Sequence, residues 1–189
     1  MFYIGVDGEM SHNEIGENAA LLQLGLAVRD SEGKMQPFNT VMKPVEPYMW
    51  DETAANVHGF TREQVNSWGT TVADADMLLS DWLASVGCRV SKRSENVAVG
   101  FSVGSFDMLF VKKFLPQTFS FFSRRFFDLN ALIHMLSMKT GVPFLTVKQN
   151  VMEEVVEQIG YDNAHDAGWD AIMHVVFMET VLDKIRIEG

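Results

Sequence analysis

Apolar and polar residues alternate with a period of two along the first forty positions. Phe2, Ile4 and Val6 fall on one side and Tyr3, Gly5 and Asp7 on the other, which predicts a strand from Phe2 to Met10. A polar loop, Ser11 to Asn18, follows. Ala20 to Val28 then sets Ala20, Leu22, Leu24, Leu26 and Val28 opposite Gln23, Gly25 and Ala27, a second strand. Ser31-Glu32-Gly33 reads as a hairpin turn into a third strand, Met35 to Met42, closed near Pro44 and Pro47. Beyond this point the pattern changes. Thr53 to Val65 predicts two short helices around His58-Gly59, and Ala73 to Val86 an amphipathic helix carrying Leu78, Leu79, Trp82 and Val86. Asn96 to Phe101 is a short apolar strand, and Ser102 to Ser105 leads into a helix from about Phe106 to Leu115, stopped by Pro116. Phe126-Phe127 is a last strand, with helices expected over Leu129–Lys139, Thr146–Ile159 and Asp166–Ile185. Three hairpin-joined strands, then strands alternating with helices, predict an α/β domain with a mixed sheet.

Length and composition narrow the setting. The 189 residues suit one domain spanning 1–189. Lone Cys88 cannot form an internal disulfide and fits a reducing compartment. Short apolar runs such as Leu21-Leu22 fall far below the roughly 18 residues of a membrane helix. Met1-Phe2-Tyr3-Ile4 enters core-like sequence without a basic leader. A cytoplasmic chain without a membrane partner is therefore expected. With 25 acidic and 15 basic residues the formal charge is -10. Taken alone, that disfavours broad binding to duplex nucleic acid, and favours a small-molecule enzyme or an acidic interaction protein.

Three groups of residues carry candidate chemistry. Asp7 and Glu9, two apart on a strand, project from one face. Paired carboxylates repel unless a cation lies between them, and such oxygens suit Mg²⁺ or Mn²⁺; a strand end reaching solvent is the simpler alternative. Asp107 opens a helix just past an apolar strand, where it could merely complement the helix dipole. Ser105, however, is the expected cap, which leaves Asp107 free to face a cleft. In His165-Asp166-Ala167-Gly168-Trp169-Asp170, Asp166 and Asp170 are four apart and share a helical face. His165 would diverge from Asp170 on a continuous helix, so it is placed in the loop, with Asp166 at or near the N-cap. A histidine there could take a proton from water; it could also be an ordinary loop residue.

The ordered set resembles the DEDDh 3′→5′ exonucleases, a proofreading-exonuclease and oligoribonuclease-like superfamily with an RNase H-like fold. Asp7 and Glu9 match its first motif, Asp107 the second, and His165 with Asp170 the third. The stretch ending Ala20-Leu21-Leu22-Gln23-Leu24-Gly25 is similar to its second-strand region, Asn56-Val57-His58-Gly59-Phe60-Thr61 to its His-Gly-apolar-Thr segment, and Phe127-Asp128-Leu129 to the step after the second motif. Gly8 departs from the pattern, where a larger residue is common. It is expected to point away from the carboxylates and to affect packing more than metal binding.

The resemblance implies an RNase H-like sheet of three antiparallel N-terminal strands, then parallel ones, flanked by helices. It also implies two Mg²⁺ or Mn²⁺ ions held by Asp7, Glu9, Asp107 and Asp170, with His165 as general base. The substrates would be single-stranded DNA or RNA 3′ ends or short oligonucleotides, cleaved to nucleoside 5′-monophosphates. Met10, His58 and Phe60 would contact the terminal nucleotide, with a plain core role the alternative for Met10. Some relatives dimerise, which allows a homodimer. A proofreading subunit is disfavoured because the chain ends at Gly189, soon after the last predicted helix. The competing class is a catalytically silent RNase H-like binding or scaffold protein. Lys92-Arg93, Lys112-Lys113 and Arg124-Arg125 are candidate phosphate contacts but read more simply as surface charge. His12, His134 and His174 have no assigned role, and Trp169, Phe101 and Phe106 read as core.

Overall fold

The computed structural model describes residues 1–12, 14, 16, 18–160 and 165–186. Asn13, Ile15 and Glu17 of the expected polar loop therefore lie outside the described residues. Strands β1 (Phe2–Met10), β2 (Leu21–Arg29) and β3 (Met35–Lys43) form the antiparallel half of the sheet. Helices α1 (Glu52–His58) and α2 (Arg62–Trp68) follow, then a two-residue β4 (Thr70–Thr71) and α3 (Val72–Ser85). A 3₁₀ turn (Val90–Glu95) leads into β5 (Asn96–Gly100), α4 (Asp107–Phe114), α5 (Pro116–Ser120) and β6 (Phe126–Asp128). Helices α6 (Leu129–Thr140), α7 (Phe144–Ile159) and α8 (Ala167–Ile185) complete the order. The strands lie β4-β3-β2-β1-β5-β6, with β5 parallel to β1 and β6 parallel to β5. This is the expected mixed sheet with helices on both sides.

Strand β2 explains how the two layers close. Leu24 and Leu26 face a core completed by Ile4, Val6, Leu79, Leu83 and Phe110. Its alternate residues, Gln23, Gly25 and Ala27, are also buried, because α8 covers that side. A second core there joins Val99 to Leu129, Ile133, Val151, Val155, Phe177 and Val181.

The expected helices form, with instructive differences. His58-Gly59 ends α1 in a left-handed Gly59 (φ 73°), and Thr61 opens α2 with a capping box to Gln64. Leu78 is 47% exposed, whereas its neighbour Leu79 is fully buried, so the apolar face of α3 is narrower than expected. Pro116 ends one helix by starting another, at the first-turn position that needs no N–H. Ser105 does not cap α4: its hydroxyl donates to the Ser102 carbonyl at 3.0 Å, and no side chain caps that helix. The two-residue β4, the short α5 and the 3₁₀ turn were beyond the reach of periodicity, which needs longer windows.

Helix α8 sits unusually close to the sheet. An added Cβ on Gly25 would lie 1.9 Å from the Ala167 carbonyl oxygen, and one on Gly5 1.9 Å from that of Ala171. Those carbonyls are one helical turn apart, so two glycines on adjacent strands receive successive turns of the helix. Backbone cannot yield as a flexible side chain can. Gly25→Ala should therefore lose about 2–3 kcal/mol in urea unfolding through overpacking; a loss under about 0.5 kcal/mol would show that the helix seat is adjustable.

Candidate active site

The close seating of α8 fixes the site. Asp7 and Gly5 point to the same face of β1, and Asp7 is paired across the sheet with Gly25. Seating α8 on both glycines brings Asp170, in its first turn, over the carboxylates of β1. Asp166 is the N-cap of α8, accepting from the Trp169 amide at 3.1 Å. Asn39 of β3 donates to the same oxygen at 3.3 Å, and buried Gln23 accepts from the Ala167 amide at 3.4 Å. The helix start is thus tied to two strands by side chains whose role the sequence did not disclose. Both belong to polar positions on the α8 face of the sheet, which is the signal that could have found them.

His165 stands just before the helix with φ 69°, in the left-handed region that few non-glycine residues adopt. That turn aims its amide at Asp170, donating to Oδ2 at 2.8 Å. Glu9, His165 and Asp170 each present a ligand atom, all within 4.8 Å of one another. Asp107, at the first turn of α4, arrives from the far side of β1, where its Oδ1 accepts from the Gly8 amide at 3.0 Å. Gly8 thus has a second role besides packing. A Cβ there would lie 2.9 Å from Met10 Cε and 3.4 Å from Asp107 Oδ1, so a larger residue would crowd both.

The electrostatics follow from this crowding. Burial, then the charges of Asp107, Asp170, Glu9 and Asp166, hold the Asp7 carboxyl well above the usual carboxylate range. Burial followed by Asp170, Asp107 and Asp166 pushes Glu9 up to about 8. Asp107 is raised to about 7 by burial, with its own amide and that of Gly8 opposing. Such hard, mutually repelling oxygens suit a divalent cation, which would relieve the strain.

His174, one turn beyond Asp170 on α8, was passed over because it had no partner at ligand spacing in the sequence. Its Nδ1 lies 2.9 Å from the Val6 carbonyl and its Nε2 3.9 Å from Asp7 Oδ1. Burial pushes its imidazole down to about 4, so the ring is neutral near pH 7 and the contact is not an ion pair. With Nδ1–H donated to Val6, the ring backs the Asp7 carboxylate from inside the protein.

The expected nucleotide contacts divide. Met10 is 5% exposed and packs in the core with Leu21 and Met108, which favours the core alternative. His58 is buried between Trp50 and Phe60, with ring centroids 5.8 and 5.4 Å away. Its Nδ1 accepts from the Phe60 amide at 3.0 Å, leaving the other nitrogen as an N–H donor with no partner among the described residues. Burial, then the charge of His165, lower its pKa. Phe60 stays half-buried at the edge of the same aromatic row.

No family model matches the chain, and no curated protein matches it by sequence. Solved structures match through their shape. Exonuclease I of E. coli bound to a dT13 oligonucleotide aligns with 96% of this chain and 41% of its own, at TM-score 0.68 and 15% identity. A product-bound exonuclease I aligns with 96% of this chain and 43% of its own, at TM-score 0.67 and 14% identity. The ExoI/SSB-Ct complex gives 97% and 41%, at TM-score 0.68 and 14% identity. This chain has the fold of exonuclease I. It spans about two fifths of the length of those proteins, and at such identities the likeness to exonuclease I is one of architecture, an RNase H-like mixed sheet.

The raised carboxyl pKa values predict a pH effect on the metal-free protein. An acid whose folded pKa exceeds its unfolded one binds more protons folded than unfolded, so stability falls as pH rises between the two values. The window runs from the ordinary 4.5 of a glutamate to about 8 for Glu9. In EDTA, Tm should fall across that window, and millimolar Mn²⁺ or Mg²⁺ should recover it most at the upper end. A Tm unaffected by Mn²⁺ at pH 8 would contradict a cation site here.

Proposed function

We propose that the chain is a metal-dependent 3′→5′ exonuclease. It hydrolyses the terminal phosphodiesters of single-stranded DNA or RNA ends or short oligonucleotides, releasing nucleoside 5′-monophosphates. One observation carries this reading: Glu9, His165 and Asp170 present ligand atoms within 4.8 Å of one another, and the charges of Asp107 and Asp170 act on both Asp7 and Glu9. A binding module has no need to bury repelling carboxylates and set a histidine beside them. The match in fold to exonuclease I, crystallised with oligonucleotides, supports the same class.

Asp7, Glu9, Asp107 and Asp170 are the residues that would hold the two divalent ions. Such ions, when bound, would lower the pKa of the attacking water and offset the charge developing on the leaving 3′-oxygen. His165 takes the proton from that water. The hydrogen bond from its backbone N–H to Asp170 anchors the residue beside that carboxylate, while the side chain stays exposed to exchange the proton with solvent. The inward N–H of His58 is a donor for the terminal nucleotide, and the face of Phe60 is a stacking surface for its base, of any identity.

A 5′-labelled single-stranded oligonucleotide with Mn²⁺ should yield a ladder shortening from the 3′ end, and EDTA should abolish it. Asp7→Asn and Asp170→Asn should reduce turnover to background while raising the metal-free Tm, because each removes a repelling charge. His165→Ala should cost about 10²–10⁴-fold in kcat. Wild-type turnover in Asp7→Asn, or no ladder on any DNA or RNA substrate, would refute the proposal.

A further inference from the structure

Outside the catalytic cleft, the three basic clusters of the sequence turn out to share one location. Arg93, Lys112 and Arg124, from the 3₁₀ turn, α4 and the segment before β6, rim a single cavity of about 390 Å³. Its apolar wall includes Met108, Phe119 and Phe126. That volume and lining, apolar with a few converging polar groups, are typical of small-ligand sites. None of the three cations has an ion pair or hydrogen bond among the described residues. By contrast Arg29, Arg62, Lys184 and Arg186 are each paired with an acid. In a chain with 25 acids and 15 bases, three exposed cations from distant segments gather at one apolar hollow.

The cavity runs along α4, which also carries Asp107, but none of the five candidate site residues lines it. Arg93 and Arg124 precede the N-terminal ends of β5 and β6, whereas Asp107 follows the C-terminal end of β5. The ligand must therefore carry its own anionic group and an apolar face. Arg and Lys bind phosphate, Arg through a planar fork, while Phe faces accept any aromatic base.

We propose that this cavity is a second nucleotide site, taking a base on the Phe119 and Phe126 side and its phosphate among Arg93, Lys112 and Arg124. The choice of a nucleotide over other aromatic anions rests on the nuclease reading; the cavity itself does not. The nucleotide has two sources, a free mononucleotide or a unit of a single strand threading past the cleft.

Calorimetric titration in EDTA, which silences the metal-dependent centre, tests the site with AMP, dTMP and a 3′-blocked phosphorothioate oligothymidylate as separate probes. Wild-type protein should bind at least one of them saturably. The Arg93→Glu/Arg124→Glu variant, its fold checked by circular dichroism, should bind that probe at least about tenfold more weakly. Binding of the mononucleotides identifies the free source, and binding of the oligonucleotide alone identifies the strand. No saturable binding, equal binding by the variant, or equal affinity for a poly-aspartate peptide would overturn the proposal. Hydrolysis of a dinucleotide with Mn²⁺ should be unchanged in the variant. Its absence from wild type as well, with nucleotide binding intact, would count against the nuclease reading and leave this site standing.

Discussion

The carbonyls of Ala167 and Ala171 rest where Gly25 and Gly5 would otherwise carry side chains, and the rest of the site depends on that contact. A helix covering a sheet is normally held off by the side chains between them. Here two glycines on neighbouring strands remove that spacer over one turn of α8. The helix start then lies at the level of the β1 carboxylates, and Asp170 and His165 come within reach of Glu9. Gln23 and Asn39 tie down the same turn with hydrogen bonds. Packing thus creates the electrostatic problem that metal ions are suited to relieve. It forces acids together in a buried place where their charges raise one another's pKa values.

Opposing forces are visible on both sides of β1. On the α8 side the acids repel one another, and a neutral His174 stands behind Asp7. On the other side the Gly8 amide holds Asp107 by a hydrogen bond that favours its charged form. Apolar residues do the remaining work, with separate cores above and below the sheet that hold β1 rigid between them. Function here is drawn from stability: the carboxylates weaken the metal-free fold, while the two cores keep it folded.

Much of this was legible before any coordinates. Period-two alternation marked β1 and β2, and the turn at Ser31-Glu32-Gly33 with the prolines beyond marked β3. The Asp-x-Glu, lone Asp and His-x4-Asp pattern was legible from its order and residue types, and the structure brings Glu9, His165 and Asp170 of it together. Gly5 and Gly25 were not legible, since a glycine in a strand has several meanings and only the partner helix shows which applies. His174 required knowing that α8 turns the same face to β1 for two successive turns. Met10, expected either to contact the terminal nucleotide or to fill the core, is buried where the register shifts after Glu9. Gly8 was expected to affect packing more than metal binding, and its hydrogen bond to Asp107 was not foreseen, because backbone amides leave no trace in a side-chain pattern. The convergence of Arg93, Lys112 and Arg124 was equally invisible, as each cluster in isolation looks like ordinary surface.

The central claim is that α8, seated on two glycines, assembles a centre for a pair of divalent ions. Electron paramagnetic resonance of a Mn²⁺ titration in the presence of a nucleoside 5′-monophosphate tests it most directly. Two ions per chain with the exchange-coupled spectrum of neighbours about 3.5–4 Å apart, lost in Asp170→Asn, is the predicted result. Mn²⁺ that binds only as isolated, uncoupled ions, or equally well to Asp170→Asn, would contradict it.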